Sequence, residues 1–510
     1  MDSASFQLTD IRGASAEGRR VTPLDYIELV RSFAAELVLA VAAGVILFLD
    51  LRGWLGKTVT ERAARGTGLT ILGLSLGLAI RFMFPQLADA PEQAFVLGPT
   101  TLWLQTALLL LAALSLVAVP ANDFTEHVGE FYALFLLATV GLLLMVGTEN
   151  LLVLFVALEL SSLSLYAMTA LHQRRPTATE AALKYFLLGG TAAALALFGM
   201  SLLYGLTGAV RFAPVAARVS TVSGDPLFWL AVLLTLAGFG FKTAVVPFHA
   251  WAPDVYQSAP GPVAALVASG SKLAGFFALY RLLEVGLAPA GGRAAWLDFQ
   301  PGWLPVISML ALASMLLGNL AALAQTSLRR LMAWSAIAQA GYALVGLTGP
   351  STDTPRALGY FAFTYGLAVI GVFGVLAVLD AAGESDGFES LHGLWRRSPL
   401  LTVCLSVFVL SLAGLPPFAG FFGKLFLFIA AAKRGGDLQL LWLVIAALGL
   451  SVVSLYYYLR ILKPALIEEP PPAAGPIVVS VPSACSLVGL AVSLFLLGCA
   501  PAWLFTGVGW

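Results

Sequence analysis

Runs of about 20 mainly apolar residues, the length a helix needs to cross a bilayer, recur along almost the whole chain. Fourteen are legible, near 28–50, 68–85, 100–119, 128–147, 149–171, 180–206, 226–249, 260–285, 303–325, 330–350, 357–380, 399–430, 438–463 and 480–506. Composition agrees: of 510 residues 59% are hydrophobic and 11% charged, with a mean hydropathy of +0.90. A soluble chain carries about 25% charged and 45–50% apolar residues, so an ordinary soluble enzyme is excluded. The sequence predicts an all-α polytopic membrane protein of about 14 transmembrane helices. The longest polar loops, 207–225, 286–302 and 381–398, are too short to be domains. Residues 26–510 read as one membrane domain. Residues 1–25, with Arg12, Arg19 and Arg20, lack the compact signal-peptide pattern and read as an extension lying at the surface.

Charge and metal-ligand chemistry exclude further classes. Basic and acidic residues balance at 28 each, so nothing points to a nucleic-acid partner. Cys404, Cys485 and Cys499 lie in apolar runs without C-x-x-C spacing and read as small core residues. His127, His172, His249 and His392 are scattered, which leaves no metal centre or iron–sulfur cluster expected in this chain. Neither G-x-G-x-x-G nor a Walker A loop occurs, so no nucleotide cofactor is expected here. Loops after the odd-numbered runs hold twelve Lys and Arg, from Arg52 to Lys463, against eight in the opposite loops, or eleven with the N-terminal tail. That bias predicts both termini on the outer side of the membrane.

The informative residues are the charges inside apolar runs. Of seven lysines, Lys184, Lys242, Lys272 and Lys424 fall within predicted spans, whereas the 21 arginines sit almost entirely at helix ends. An ionisable group at mid-membrane costs at least about 2.5–3.5 kcal/mol, so such groups mark ion or proton paths by default. Lysine suits proton transfer because burial brings its pKa toward neutrality, while arginine stays charged. Lys272 lies at the centre of the eighth run, too deep to snorkel. Lys242 precedes Pro247, which interrupts the seventh run, and Lys424 follows Pro416 and Pro417 in the twelfth. Lys184 stands near the start of the sixth run, where snorkelling and function are equally open. Glu159 is near the middle of the fifth. Glu36 and Glu149 read as interfacial or packing residues, and Asp254 and His249 as residues that line the aqueous end of the seventh run. Proline frees backbone carbonyls, which lipid tolerates only where protein or a polar cavity satisfies them. Two breaks beside buried lysines therefore belong together.

The chain also repeats. Leu234–Gly238 and Leu410–Gly414 match at an offset of 176, as do Tyr166 and Tyr342; Tyr185-Phe186 and Tyr360-Phe361 match at 175. Residues 128–285 and 303–463 would then be two five-helix units. An odd helix number turns the second upside down, an inverted repeat with its pathway at the interface. The charges are shared unequally: Ser335 stands opposite Glu159, and Leu448 opposite Lys272.

VALELSSLSLY around Glu159, EAALKYFLLGG around Lys184, GFKTAVVPFHAWAPDVY and SGSKLAGFFALYRLL recur as a set with GNLAALAQTSLRRLMAWSAIAQAGY, LSLAGLPPFAGFFGKLFLF and SLYYYLRI. In these stretches the chain resembles the antiporter-like membrane subunits of respiratory complex I, most closely the subunit N family. Lys424, where some sister subunits carry glutamate, and the lack of a long C-terminal lateral helix point to N. The resemblance implies a proton-translocating subunit of NADH:quinone oxidoreductase in a bacterial inner membrane. Redox centres would be absent from this chain; FMN, iron–sulfur clusters and quinone would belong to partner subunits of the complex. It further implies that Glu159 pairs with Lys242 or Lys184, that Lys272 is the central relay and that Lys424 is the lysine of the second broken helix. Ser258 departs from the glycine usual after PDVY. Two alternatives remain at this point: a subunit of a multi-subunit sodium/proton antiporter, and a structural membrane subunit that transports nothing.

Overall fold

The computed structural model describes residues 32–54, 56–83, 95–96, 98–119, 125–172, 176–296, 298–350, 352–434, 439–472 and 475–505. The extension 1–25 and the loop residues Arg174 and Arg175 lie outside them. Three helices open the described chain: α1 (Ala34–Phe48), α2 (Val59–Met83) and α3 (Pro99–Val117). Next come α4 (Val128–Gly147), α5 (Leu151–Ala170), α6 (Pro176–Thr207), α7 (Phe212–Val222), α8 (Pro226–Thr243), α9 (Ala252–Ser258), α10 (Gly261–Ala268) and α11 (Gly270–Arg281). The rest is α12 (Trp303–Leu323), α13 (Leu328–Leu347), α14 (Thr354–Ala381), α15 (Leu394–Arg397), α16 (Pro399–Ala413), α17 (Ala419–Lys433), α18 (Leu441–Leu466) and α19 (Val481–Cys499).

Local chemistry sets several helix starts. Asn150 accepts from the Leu152 and Val153 amides at 2.9 and 3.3 Å to open α5. Asp225 accepts from the Leu227 amide at 2.8 Å ahead of Pro226, and Ser327 accepts from the Arg330 amide at 3.1 Å. Each side chain satisfies an amide that the first turn would leave unpaired in a medium without water.

Twelve helical segments among the described residues are long and apolar enough to cross a membrane. The chain is thus an all-α polytopic membrane protein. Two of the fourteen predicted runs fall outside that set. The 20-residue α13 carries Arg329, Arg330, Ser335 and Gln339, and the 399–430 run is split into α16 and α17 of 15 residues each. The core sits on two elements. In the most apolar stretches of Gly261–Gly286 and Thr354–Ala381, 94% of residues are buried, against 33% in α18 and in α19. The first pair is central and the second peripheral.

Close packing between α4 and α5 depends on Gly141. A Cβ there would stand 2.6 Å from the Ser161 amide nitrogen and 2.8 Å from the Ala157 carbonyl oxygen, both backbone atoms that cannot swing aside. Gly141→Val is expected to cost about 1–3 kcal/mol, the usual range for overpacking, read as a lower melting temperature of the detergent-solubilised chain. An unchanged melt would show that the two helices separate freely.

Several details differ from the sequence reading. The 207–225 loop contains α7, which turns Phe212, Val215 and Val219 inward at helical spacing. The 286–302 loop holds a two-stranded antiparallel hairpin, Arg293–Ala295 with Asp298–Gln300. The eighth run is not continuous, because Ser269 leaves helical geometry at ψ −83° between α10 and α11. Cys404 is buried, but Cys485 and Cys499 are exposed and not core residues, since α19 buries only one face.

Candidate functional site

The α8 helix ends one residue after Lys242. Ala244 adopts left-handed φ of 58° and Pro247, after a cis peptide bond, offers no amide. Neighbours satisfy the groups this break frees: Trp251 Nε1 donates to the Phe241 carbonyl at 3.1 Å, and the Val246 amide donates to Ser314 Oγ of α12 at 3.0 Å. The second break follows the same logic. Gly414 closes α16 at φ 83°, Pro416–Pro417 is cis, and Ser411 Oγ accepts from the Gly420 amide at 3.1 Å. The two left-handed residues, 244 and 414, are not separated by the 176 of the sequence match. Lys242 lies before its break and Lys424 after its own.

Lys242 is 3% exposed and its Nζ donates to Ser161 Oγ at 2.7 Å and Ser162 Oγ at 3.1 Å, both on α5. Glu159 stands less than a turn earlier on α5 with one carboxylate oxygen buried and without a hydrogen-bond partner. The two residues interact electrostatically, but the expected contact pair is replaced by bonds to the serine hydroxyls. Lys184 does not reach Glu159 either. Its side chain is 46% exposed and pairs with Glu180 at 2.7 Å and Asp254 at 2.9 Å, and Asp254 also pairs with Arg330 at 2.7 Å. Lys184 therefore belongs to a surface ion-pair cluster on α6, α9 and α13 rather than to the buried set. The reason is geometric: it is on the outward face of α6, beside the exposed Leu183 and Leu187, while Ala181 and Tyr185 face the core. His249 packs against Trp334 with the rings tilted by 57° and their centroids 5.4 Å apart.

Lys272 is likewise 3% exposed, and Nζ donates to the Ala336 carbonyl of α13 at 2.5 Å. One turn along α11, Gly275 lies against the Lys242 stem, where a Cβ would meet Cγ at 3.4 Å. Lys424 donates to the Ala413 carbonyl, freed by the end of α16, and to Ser451 Oγ of α18, both at 3.1 Å. Its ammonium stands 5.0 Å above the Tyr342 ring, a cation–π contact. A small cavity of about 10 Å³, room for about one water, lies beside it, lined in part by Gln339, Thr364, Tyr365 and Ser411.

The span between Lys272 and Lys424 is bridged by one face of α13. Ser335, Gln339 and Tyr342 recur there at helical spacing. Gln339 Nε2 donates to the Leu412 carbonyl at 3.2 Å and to Tyr458 Oη at 3.3 Å, and Ser335 bonds Tyr458. Asn319 Nδ2 donates to Tyr342 Oη at 3.1 Å and its oxygen accepts from Tyr457 at 3.1 Å. Sequence reasoning named Ser335 and Tyr342 only as repeat partners and missed Gln339, Asn319 and the serine pair. The polar 335-339-342 spacing on an otherwise apolar helix was the available signal. Among the described residues the three buried lysines hydrogen-bond only to neutral oxygens, an arrangement in which an ammonium exchanges its proton without breaking an ion pair. Among the described residues no group of three or more His, Cys, Asp or Glu is placed to hold a metal.

Known proteins are similar to this chain in sequence and in fold. The family model described as NADH:quinone oxidoreductase/Mrp antiporter, TM, matches residues 148–453. The chain is 45% identical to an NADH-quinone oxidoreductase subunit N 2 of Acidobacterium capsulatum, over 94% of this chain and 98% of that one. A subunit N 2 of Herpetosiphon aurantiacus is 36% identical over 94% and 96%. A chain of respiratory complex I from Thermus thermophilus, solved with bound Aureothin, superposes with a TM-score of 0.75 at 34% identity, covering 93% of this chain and 99% of that one. A chain of the Mrp complex from Dietzia sp. DQ12-45-1b gives 0.78 at 22% identity over 94% and 96%, a likeness of fold alone. Matched over more than half its length by the family model and nearly end to end by these relatives, the chain belongs to the NADH:quinone oxidoreductase/Mrp antiporter family of membrane subunits.

Proposed function

We propose that this chain is the N-type, proton-translocating membrane subunit of an NADH:quinone oxidoreductase in a bacterial inner membrane, working with the other membrane and peripheral subunits of that complex. The carrying observation is the series Lys242, Lys272 and Lys424, three buried ammonium groups, each near a helix interruption. A proton enters one half-channel to Lys242 or Lys272 and leaves beside Lys424, with the 335-339-342 face of α13 as the bridge. Glu159 is the switch. In the geometry described, Lys242 rests on two serines; a shift that brings the Glu159 carboxylate to it stabilises the protonated lysine, and withdrawal releases the proton. Moving one charge against 100 mV costs about 2.3 kcal/mol. A change in proton affinity of two pKa units supplies about 2.7 kcal/mol, so the scale suffices. Lys184 with Asp254 and Arg330 serves the aqueous end of the path.

In this reading residues 26–510 form one domain of 14 spans, α13 and the α16–α17 pair included, with both termini on the outer side. Two inverted five-helix units, about 128–285 and 303–463, are supported at the level of elements: α5 and α13 begin 177 residues apart, at 151 and 328, and α6 and α14 begin 178 apart, at 176 and 354. Flavin, iron–sulfur clusters and quinone belong to partner subunits, whose quinone reduction drives the pump. Relatives covered nearly end to end are named as subunits N, which disfavours the antiporter and purely structural readings. The test is purification of the chain in mild detergent with an assay of NADH oxidation coupled to quinone reduction. Activity that copurifies with flavin and iron supports the proposal; capture of membrane subunits alone overturns it.

A further inference from the structure

α14 packs antiparallel on α17, the helix that carries Lys424. The α17 Gly423 faces Phe361 of α14, Phe426 packs on Tyr360 with ring centroids 5.2 Å apart, and Lys433 closes the end on Asp353 at 2.7 Å. Between those ends opens a groove with a cavity volume of about 180 Å³. Its mouth carries Arg356 and Lys433 against one carboxylate, a net charge of +1. Arg356 is exposed and has no hydrogen-bond or ion-pair partner among the described residues. The neighbouring Arg434 contributes nothing here, because it is turned to Glu284 at 2.8 Å and to the Gly349 carbonyl at 2.7 Å. Below the mouth the lining becomes apolar. Phe426, Ile429 and Lys433 fall at i, i+3 and i+7 on one face of α17, with the charge at the helix terminus.

We propose that this groove binds an anionic phospholipid, its phosphate between Arg356 and Lys433 and an acyl chain along Ile429 and Phe426. The vertical order decides the class. Cationic side chains at the end of a spanning helix lie at headgroup level, and an apolar slot that descends from them into the hydrocarbon matches an amphiphile. A free anion would use the mouth and leave the slot unused. Two cations against one carboxylate leave the single positive charge that a phosphodiester neutralises. The inference rests on the membrane placement of the chain and is independent of proton transfer.

The experiment uses the intact membrane complex, purified in detergent, stripped of lipid and titrated with phosphatidylglycerol, with native mass spectrometry counting the lipid bound. A surface Lys or Arg contributes about five-fold to anionic-lipid affinity. Arg356→Gln/Lys433→Gln is therefore expected to weaken binding at one site by roughly 30-fold. Ile429→Trp keeps both charges and closes the acyl slot, and is expected to lose the same lipid. Unchanged phosphatidylglycerol binding in either variant overturns the proposal. So does full displacement of the lipid by millimolar inorganic phosphate, the mark of a free-anion site. A cross-link from Ile429→Cys to another subunit in the native complex would also overturn it, since protein then fills the groove.

Discussion

Lys242→Ala in the assembled complex is expected to cut NADH-driven proton translocation by ten-fold or more while the subunit still folds and assembles. Loss of a proton-transferring group typically costs about 10²–10⁴-fold in rate, so ten-fold is a conservative floor. Folding should survive because the partners are not orphaned: Ser161 Oγ also bonds the Leu158 carbonyl at 2.9 Å, and the removed ammonium leaves no opposite charge in contact. Lys242→Arg separates transfer from packing. Arginine keeps the charge and bonding capacity but does not release its proton, so a relay role predicts that it is as inactive as alanine. A structural role predicts recovery. The measurement is dye-reported acidification of proteoliposomes beside NADH oxidation, and normal pumping by a normally assembled Lys242→Ala complex would remove Lys242 from the path.

The largest expected effect on stability lies elsewhere, in α1–α3. Arg81 Nη2 holds both Glu36 oxygens at 2.5 Å and its Nη1 donates to the Ser32 carbonyl at 3.1 Å. Gln105 Nε2 donates to Glu36 at 3.1 Å and to the Leu143 carbonyl at 3.3 Å, which ties the pair to α3 and α4. Glu36 is 4% exposed, Arg81 5% and Gln105 0%. Removing one member of a buried pair leaves an uncompensated charge and costs about 3–5 kcal/mol. Arg81→Ala should therefore lower the aggregation temperature of the detergent-solubilised chain sharply. Glu36→Leu/Arg81→Leu should restore most of it, because an apolar pair of similar volume carries no desolvation penalty. A double variant as unstable as the single would mean that the guanidinium itself, through its bond to the Ser32 carbonyl, holds α1 in place. Glu36 is thus a buried packing residue, one of the two roles read for it in the sequence.

Much of the candidate site was legible in the sequence because its signals are local. A lysine inside an apolar run is anomalous whatever surrounds it, and Pro247, Pro416 and Pro417 stop a helix wherever they occur. Lys242, Lys272 and Lys424 were found this way, and all three are buried. Lys184 shows where that logic fails. The sequence placed it within a span, but whether a residue near a helix end faces the core or the outside depends on which neighbours cover that face. The α7 helix was missed although its Phe212, Val215 and Val219 spacing was present, because a short amphipathic turn is weaker than the loop polarity around it. The break at Ser269 was missed because no proline marks it, although the Ser269-Gly270-Ser271 run beside Lys272 was the available signal.

The sequence by itself determined that this chain lives in a bilayer as a bundle of helices, where two of them break, and that Lys242, Lys272 and Lys424 are drawn into the core. Those are consequences of apolar length, proline geometry and charge in a medium without water, all read within about 20 residues. Only the tertiary structure decided the partners: Lys242 on Ser161 and Ser162 rather than on Glu159, Lys272 on the Ala336 carbonyl, Lys424 over Tyr342, and Gln339 and Tyr458 between them. Those partners come from helices far apart in the chain, and which hydroxyl or carbonyl meets an ammonium is fixed by how close the packed backbones come, a distance no local pattern encodes.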